Sequence, residues 1–426
     1  MGSLADEVLP LVRTRAGLHR WGAANSYGYS AHEAVARLSE AAQTQPAAEV
    51  LAVTQRALAS ALKASARADD SSGIIGAAIY DLLALHAALA TTAPPPAARL
   101  VAWMIAFQFD GVVDFFTLDP AAYGPALGDR GMALYRANLA EIATALGPPP
   151  TPEEEQASML ERATDPSGWE QQVQDRHTRF VLEWNARRLA VWDRDIEAII
   201  ATHARDRRVA AWFEDTATAF DEIGEIDLAI DWARQATFFD RGHQSVKAAQ
   251  LWCRLLADHR PGEELAARLA VVERWPTATH ADDVRHAARD AWPDHRDCVM
   301  DTLRQRPGEA VAFALHTLDD AQLAWDLAHD LDLDHSETGV WHTLAHRYEK
   351  LDPVAVVPVQ TRQILAHLEY ADAQHYRAAA RGLAHLRTLT RGTNEAENIE
   401  ALIRELRETH RRRPRLQQEF TRAGLP

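Results

Sequence analysis

The sequence predicts an all-α protein, an α-solenoid of helix pairs of the tetratricopeptide (TPR) type that is arranged in two helical units. Three observations support this prediction. Apolar residues recur with a helical period along most of the chain, no segment shows the sustained alternation of a strand, and short turns with proline or glycine separate the helical segments. An irregular helical bundle is the alternative that this pattern leaves open.

Composition restricts the classes of function. The chain has 426 residues, of which 47% are hydrophobic and 25% charged, as expected for a globular protein with more than one packed unit. Its 45 Lys and Arg residues against 61 Asp and Glu residues give a net charge of −16. This charge argues against a general affinity for nucleic-acid backbones or anionic membranes.

The cysteine content and the N-terminal residues indicate the cellular compartment of the protein. Cys253 and Cys298 are too few for a disulfide framework or for a zinc knuckle built on CxxC pairs. Residues 1–17 place acids before any apolar run, which is not the pattern of a signal peptide. Both features predict a cytoplasmic protein.

The helical period is clear near the N-terminus. In segment 49–67, Val50, Val53 and Leu58 recur at steps of three to five residues, with basic residues on the other face. The most apolar stretch, 73–90, carries Asp81 and His86 and has only the minimum length of a membrane span, so it predicts a buried helix. Further amphipathic helices are predicted at 130–146, 177–204, 309–318, 321–331 and 396–410.

Proline-rich breaks divide the chain. The break near 148–155 contains four prolines and three glutamates, and it predicts a domain boundary at about residue 150. An N-terminal helical domain would then span 1–150, and a TPR-like domain with a C-terminal capping hairpin would span 151–426. The other breaks are at 91–98, 259–264, 273–279 and 305–310.

One TPR-like repeat can be assigned directly, at 211–236. Gly224 stands at its turn, and Ala229 and Ala236 allow the paired helices to approach closely, although Ala217 replaces the glycine that the repeat prefers. If the repeat begins at Ala210, four side chains point into the groove and would attract a basic partner segment. These predicted partner-binding residues, the acidic face, are Glu214, Thr218, Asp221 and Glu222.

Five segments are distinctive when taken together and in order: "DDSSGIIG", "YGPALGDRGMALYR", "AWDLAHDLDLDHSETGVWHTLAHRYEKLDPVAVVPVQTRQI", "YRAAARGLAHLRTL" and "LRETHRRRPRLQQEFTRAGL". They resemble the helical region that follows the zinc-binding module in actinobacterial SWIM zinc-finger proteins. The resemblance covers most of residues 20–425 and implies a TPR-like helical fold. The zinc module itself, CxC followed by CxH, is absent from this chain, which has only two cysteines.

Two clusters have spacings that metal ions can use. His342 and His346 are four residues apart, but the glutamate of HExxH and a third ligand are missing, which favours structural histidines. Asp330, Asp332 and Asp334 have the spacing of a calcium loop but lack its glycine and distal glutamate, which favours a solvated turn. The sequence therefore predicts no metal and no cofactor.

No catalytic signature is present: the chain has no GxSxG, no phosphate-binding glycine loop and no cysteine next to a histidine motif. The favoured function is a non-enzymatic scaffold or adaptor that binds a protein or peptide in the concave face of the solenoid. The alternative is an enzyme or metal-dependent factor whose site is assembled from dispersed His and Asp residues.

The C-terminal arginines Arg411, Arg412, Arg413 and Arg415 raise a second alternative, contact with nucleic acid. They follow an amphipathic helix at 396–410, and Pro414 suits the first turn of another. Residues 404–426 carry a net charge of +4 against −20 for the rest of the chain. This contrast favours a basic hairpin that docks within the molecule and caps the solenoid.

Overall fold

The described part of the computed structural model, residues 3–110, 116–151, 153–154 and 166–426, is helical and contains no strand. One isolated bridge pairs Leu18 with Ala68. The all-α prediction is therefore confirmed. The break that predicts a domain boundary near residue 150 falls partly on residues 152 and 155–165, outside the described residues, and that boundary stays a prediction.

Contacts divide the chain into two compact units, unit 1 (Met1–Trp232) and unit 2 (Ala233–Pro426). Helices on both sides of residue 150 lie in unit 1. The helices of unit 1 are α1 (Leu4–Val12), α2 (Trp21–Thr44), α3 (Ala47–Ser65), α4 (Ile74–Thr92), α5 (Ala97–Phe109), α6 (Pro120–Leu146), α7 (Pro166–Asp193), α8 (Ile196–His203) and α9 (Ala210–Glu222). The division between the units falls inside α10 (Ile226–Phe239).

The core of unit 1 centres on α4. This helix is long and apolar enough to cross a membrane by length and composition, and half of its apolar stretch is buried against its neighbours. It contacts α2, α3 and α6, and Ile79 and Leu82 are fully buried among them. Burying such side chains contributes roughly 1.5–3 kcal/mol each, which explains the buried helix that the sequence predicts.

A closed polar network joins three helices of unit 1. Tyr135 on α6 donates its hydroxyl to Asn185 on α7 at 2.5 Å, and Gln108 on α5 donates to the Tyr135 hydroxyl at 2.7 Å. The Asn185 amide donates in turn to the Gln108 side-chain oxygen at 2.9 Å. All three residues are buried. Each polar group is satisfied by another, so the network fixes α7 against the helices that precede residue 150.

Unit 2 consists of successive short helices. From α11 to α20 each helix contacts the next one along the chain, and several also contact the next but one. The helices are α11 (His243–His259), α12 (Pro261–Arg274), α13 (Ala278–Ala288), α14 (Trp292–Leu303), α15 (Pro307–Ala312), α16 (Ala321–Asp330), α17 (Thr338–Tyr348), α18 (Val357–Glu369), α19 (Ala373–Leu389), α20 (Ala396–Thr409) and α21 (Pro414–Arg422).

Local chemistry accounts for where these helices begin. Pro261, Pro307 and Pro414 occupy the first turn of α12, α15 and α21, where a missing N–H costs nothing. Asp320 and Asp372 cap α16 and α19 by accepting hydrogen bonds from the first backbone N–H groups. The proline breaks in the sequence thus correspond to helix starts.

Residues 410–413 form the corner between α20 and α21, and the capping hairpin that the sequence predicts there stays a prediction. Leu416 and Phe420 of α21 are fully buried in a core that α18, α19 and α20 share. Arg387 of α19 donates a hydrogen bond to the carbonyl oxygen of Gly424 at 3.0 Å. The last helix is therefore held by apolar packing and by a hydrogen bond to its end.

Candidate functional site

The acidic face predicted on α9 is partly paired with an arginine of the same unit, Arg188. Glu214 is buried, Thr218 is exposed, and Glu222 forms an ion pair of 2.6 Å with Arg188 of α7. The Arg188 guanidinium also pairs with Asp119 at 2.8 Å, and its side chain is only 13% exposed. Residues 210–222 do form one helix, as predicted, but a carboxylate held by Arg188 is less available to a basic partner.

The C-terminal arginines lie at the corner between α20 and α21. Arg411, in the turn after α20, pairs with Glu408 near the end of that helix, whereas Arg413 donates to the carbonyl oxygen of Leu368 at 2.8 Å. The Arg413 guanidinium also lies over the ring of Tyr376. Arg412 and Arg415 are exposed. One arginine of the cluster thus docks within unit 2 and three face solvent.

The two metal-like spacings have different surroundings. His342 and His346 lie on one face of α17 and line a cleft. The aspartates lie at the turn after α16, where the Asp334 carboxylate accepts a hydrogen bond from the backbone N–H of Ser336. That hydrogen bond is the main reason why the pKa of Asp334 lies below its usual value. No group of three or more His, Cys, Asp or Glu side chains in the described residues could hold a metal ion.

The cleft that contains these two histidines, the histidine cleft, has a volume of about 310 Å³. It opens between α17, α18 and α19. A Cβ atom at Gly382 would lie 2.7 Å from Cγ1 of Ile364, so glycine is required where α18 and α19 approach each other. The polar residues that line the histidine cleft are His342, His346, Gln360, Gln363, His367, Arg381 and His385.

Glu349 lies next to the cleft and contacts two of its histidines, His346 and His385. It caps the C-terminal end of α17, where the helix dipole disfavours a carboxylate, and its side chain is only 10% exposed. His385 lies 2.8 Å from the carboxylate through Nε2, Gln360 donates to it at 2.9 Å, and His346 Nδ1 lies 3.2 Å away. Burial opposes ionisation of Glu349, but the hydrogen bonds from His385 and Gln360 outweigh it and lower the pKa.

Two donors in the cleft have no acceptor among the described residues. The side-chain nitrogen Nε2 of Gln363 is buried and makes no hydrogen bond. The Arg381 guanidinium is exposed in the cleft and has no carboxylate within ion-pair distance among the described residues. Burial, and then the nearby His375 and His342, lower the pKa of His367, which keeps its imidazole neutral at physiological pH. The cleft therefore offers donors that a carboxylate or carbonyl oxygen would satisfy.

Sequence reasoning singled out His342 and His346 but missed Glu349, His385 and Arg381. Glu349 and His385 are 36 residues apart and lie on different helices. The only local signal was the glutamate three residues after His346, which a helical pattern treats as one more exposed acid. No protein family, curated protein or solved structure matches this chain, so the family resemblance stays a prediction.

Proposed function

We propose that unit 2 is a TPR-like solenoid that acts as a scaffold and binds a segment of a partner protein. The observation that supports a solenoid is the regular contact of each helix with the next from α11 to α20. A chain of helices stacked in this way exposes an extended surface, and extended surfaces are what helical-repeat proteins use to bind peptides. The resemblance to the helical region of SWIM zinc-finger proteins implies the same type of fold.

We place the partner-binding site in the histidine cleft. Its unsatisfied donors, the Gln363 amide and the Arg381 guanidinium, suit a partner segment that presents an acidic side chain. The single observation that carries this assignment is the buried, unpaired Gln363 nitrogen, because leaving such a donor without an acceptor costs about 1–3 kcal/mol. A bound carboxylate would remove that cost. The basic partner predicted for the acidic face remains a separate prediction.

A selection of short random-sequence peptides against the full-length chain tests the proposal. We expect the selected peptides to share an Asp or Glu residue, and Arg381→Ala to weaken their binding about tenfold to a hundredfold. Raising the salt concentration should weaken binding further, since the cleft is open to solvent. Fluorescence polarisation of one labelled peptide measures both effects.

Arg362→Ala is the matched control. Arg362 is an exposed arginine on α18 that does not line the cleft, and its replacement should leave peptide binding within about twofold. Selected peptides without acids, or equal losses in the two variants, would contradict the assignment to this cleft. Selection of basic peptides whose binding depends on Asp221 and Glu222 would support the acidic face instead.

A further inference from the structure

Unit 1 contains a second concave site, the aromatic cavity, which the proposed scaffold does not use. Its volume is about 480 Å³, within the range of small-molecule sites. One wall is α3 with Leu51 and Gln55, and another is α5 with Leu100 and Trp103. The turn at 93–96 completes the cavity. Its three consecutive prolines fix their own φ angles, so this wall is formed before any ligand binds.

A buried imidazole lines this apolar cavity. His86 of α4 is 2% exposed, and its ring stacks on Trp103 with 4.2 Å between the ring centroids. Its Nδ1 lies 3.0 Å from the hydroxyl of Tyr123. Burial lowers the pKa of His86 to about 4, so the ring is neutral at physiological pH.

The second nitrogen of this imidazole has no hydrogen-bond partner among the described residues. The Tyr123 hydroxyl has two possible acceptors, the Leu83 carbonyl oxygen at 3.5 Å and His86 Nδ1 at 3.0 Å, and the shorter distance favours Nδ1. When the Tyr123 hydroxyl donates to Nδ1, the proton of the neutral ring is on Nε2. No described residue hydrogen-bonds to Nε2, although His86 is almost completely buried. In this tautomer a hydrogen-bond donor lies at the wall of an apolar cavity. Nε2 is not among the fully buried donors without a partner, so water in the cavity can accept from it until a ligand acceptor replaces that water.

A positive charge lies at the rim. Arg99 of α5 lines the cavity, is exposed to solvent, and has no carboxylate within ion-pair distance among the described residues. Gln55 adds a neutral amide on the opposite wall. The cavity thus combines apolar and aromatic walls, one internal donor and one cation at its mouth. An aromatic ligand would find edge and face contacts with Trp103, and an acidic group on it would find Arg99.

We propose that the aromatic cavity binds a small planar aromatic anion, with a hydrogen-bond acceptor of the ligand directed at His86 Nε2 and its acidic group at Arg99. The ligand class follows from the shape and chemistry of the site. It requires a flat apolar body, because the walls are apolar and aromatic, and few polar atoms, because the protein supplies few partners. The site lies wholly within unit 1 and does not depend on the proposed scaffold function.

Titration of the full-length chain with 2-naphthoate, and with the neutral 2-naphthamide for comparison, tests the proposal by calorimetry. We expect one molecule of naphthoate per chain. Arg99→Gln should weaken naphthoate about tenfold and change naphthamide by less than about twofold, because only the former carries the charge. Arg56→Gln, at an exposed arginine of α3 outside the cavity, is the matched control and should change neither.

Two further variants separate the cavity from unspecific binding. Ala52→Trp, at an exposed alanine that lines the cavity, should abolish binding of both ligands by filling the space. His86→Phe keeps an aromatic ring but removes the donor, and it should weaken both ligands about fivefold or more. Should that variant fail to fold, the imidazole nitrogen resonance of His86 in the native chain should still shift when naphthoate is added. Absence of binding, or binding that survives Ala52→Trp, would overturn the proposal.

Discussion

His86 in unit 1 is 2% exposed and packs on Trp103, whereas the side chain of His385 in unit 2 is 47% exposed and contacts the Glu349 carboxylate. In unit 1 burial keeps the imidazole neutral, so it acts as a fixed hydrogen-bonding group. In unit 2 two histidines, His346 and His385, contact one carboxylate beside an open cleft, where protons and salt have access. The same type of side chain is therefore a neutral buried group in unit 1 and a solvent-accessible partner of a carboxylate in unit 2.

The comparison predicts that polar substitutions cost more in unit 1, and Asn185→Ala should show the largest effect. Removing this amide leaves the Tyr135 hydroxyl without its acceptor and the Gln108 oxygen without its donor, both buried. We expect a loss of about 3 kcal/mol in the free energy of unfolding, measured by urea denaturation. Asn138→Ala, which removes one hydrogen bond on α6, should cost less than about 1 kcal/mol. Equal losses would mean that the network is open to water.

Mild acid should destabilise unit 1 through its buried histidines. Burial lowers the pKa of His203 to about 4, and Arg187 adds to this effect, as burial alone does for His86. Since each folded-state pKa lies below the unfolded value of about 6.5, the unfolded chain takes up the proton first, and stability is lost as pH falls from about 6.5 to about 4. Each imidazole should cost about 2 kcal/mol by about pH 5.

His203→Gln tests this pH dependence. The amide keeps a donor for the Ile199 carbonyl oxygen, which lies 3.1 Å from Nδ1, but it cannot titrate. The difference in unfolding free energy between about pH 7 and about pH 5 should therefore shrink by about 2 kcal/mol in the variant. An unchanged difference would show that folding does not shift the pKa of His203, and the contrast between the units would fail at this residue.

In unit 2 the central group is Glu349, and Glu349→Gln should cost about 1–2 kcal/mol near neutral pH, because the amide accepts more weakly from His385 and Gln360. The folded-state pKa of Glu349 lies below its ordinary value of 4.5, so its contribution is present above that value and is lost as pH falls through the folded-state pKa. The difference in unfolding free energy between Glu349→Gln and the native chain should therefore disappear as the pH falls through the folded-state pKa of Glu349. Glu369→Gln, at an exposed site on α18, should stay within about 0.5 kcal/mol of the native chain.

The smallest effects are expected at the C-terminal corner. Arg411→Ala and Arg412→Ala should change the unfolding free energy by less than about 0.5 kcal/mol, because both side chains are exposed. Arg413→Ala should cost about 1 kcal/mol, since it removes the hydrogen bond to the Leu368 carbonyl. Tight, salt-sensitive binding of a single-stranded oligonucleotide that disappears in the Arg411→Ala and Arg412→Ala variants, with stability unchanged, would instead make the corner a nucleic-acid contact.

The sequence by itself determined the helical class and much of the helix boundaries, because both depend on neighbouring residues. The spacing of apolar residues defines the buried face of a helix within a few turns. Pro261, Pro307 and Pro414 mark the starts of helices because proline lacks the N–H that a first-turn residue does not use. The pattern of Ile399, Ile403 and nearby leucines likewise predicted α20, and Pro414 predicted the start of α21. These are local rules, and the fold obeys them.

Only the tertiary structure decided what the side chains do. The pattern of segment 73–90 could not show that His86 would stack on Trp103, because that contact depends on how α4 and α5 pack. Glu349 and His385 meet only because α17, α18 and α19 stack closely, which Gly382 permits at its contact with Ile364. Burial and charge pairing arise from residues distant in sequence. A local period tells which face of a helix is apolar, but it does not tell which neighbour covers that face or which polar group is left without a partner.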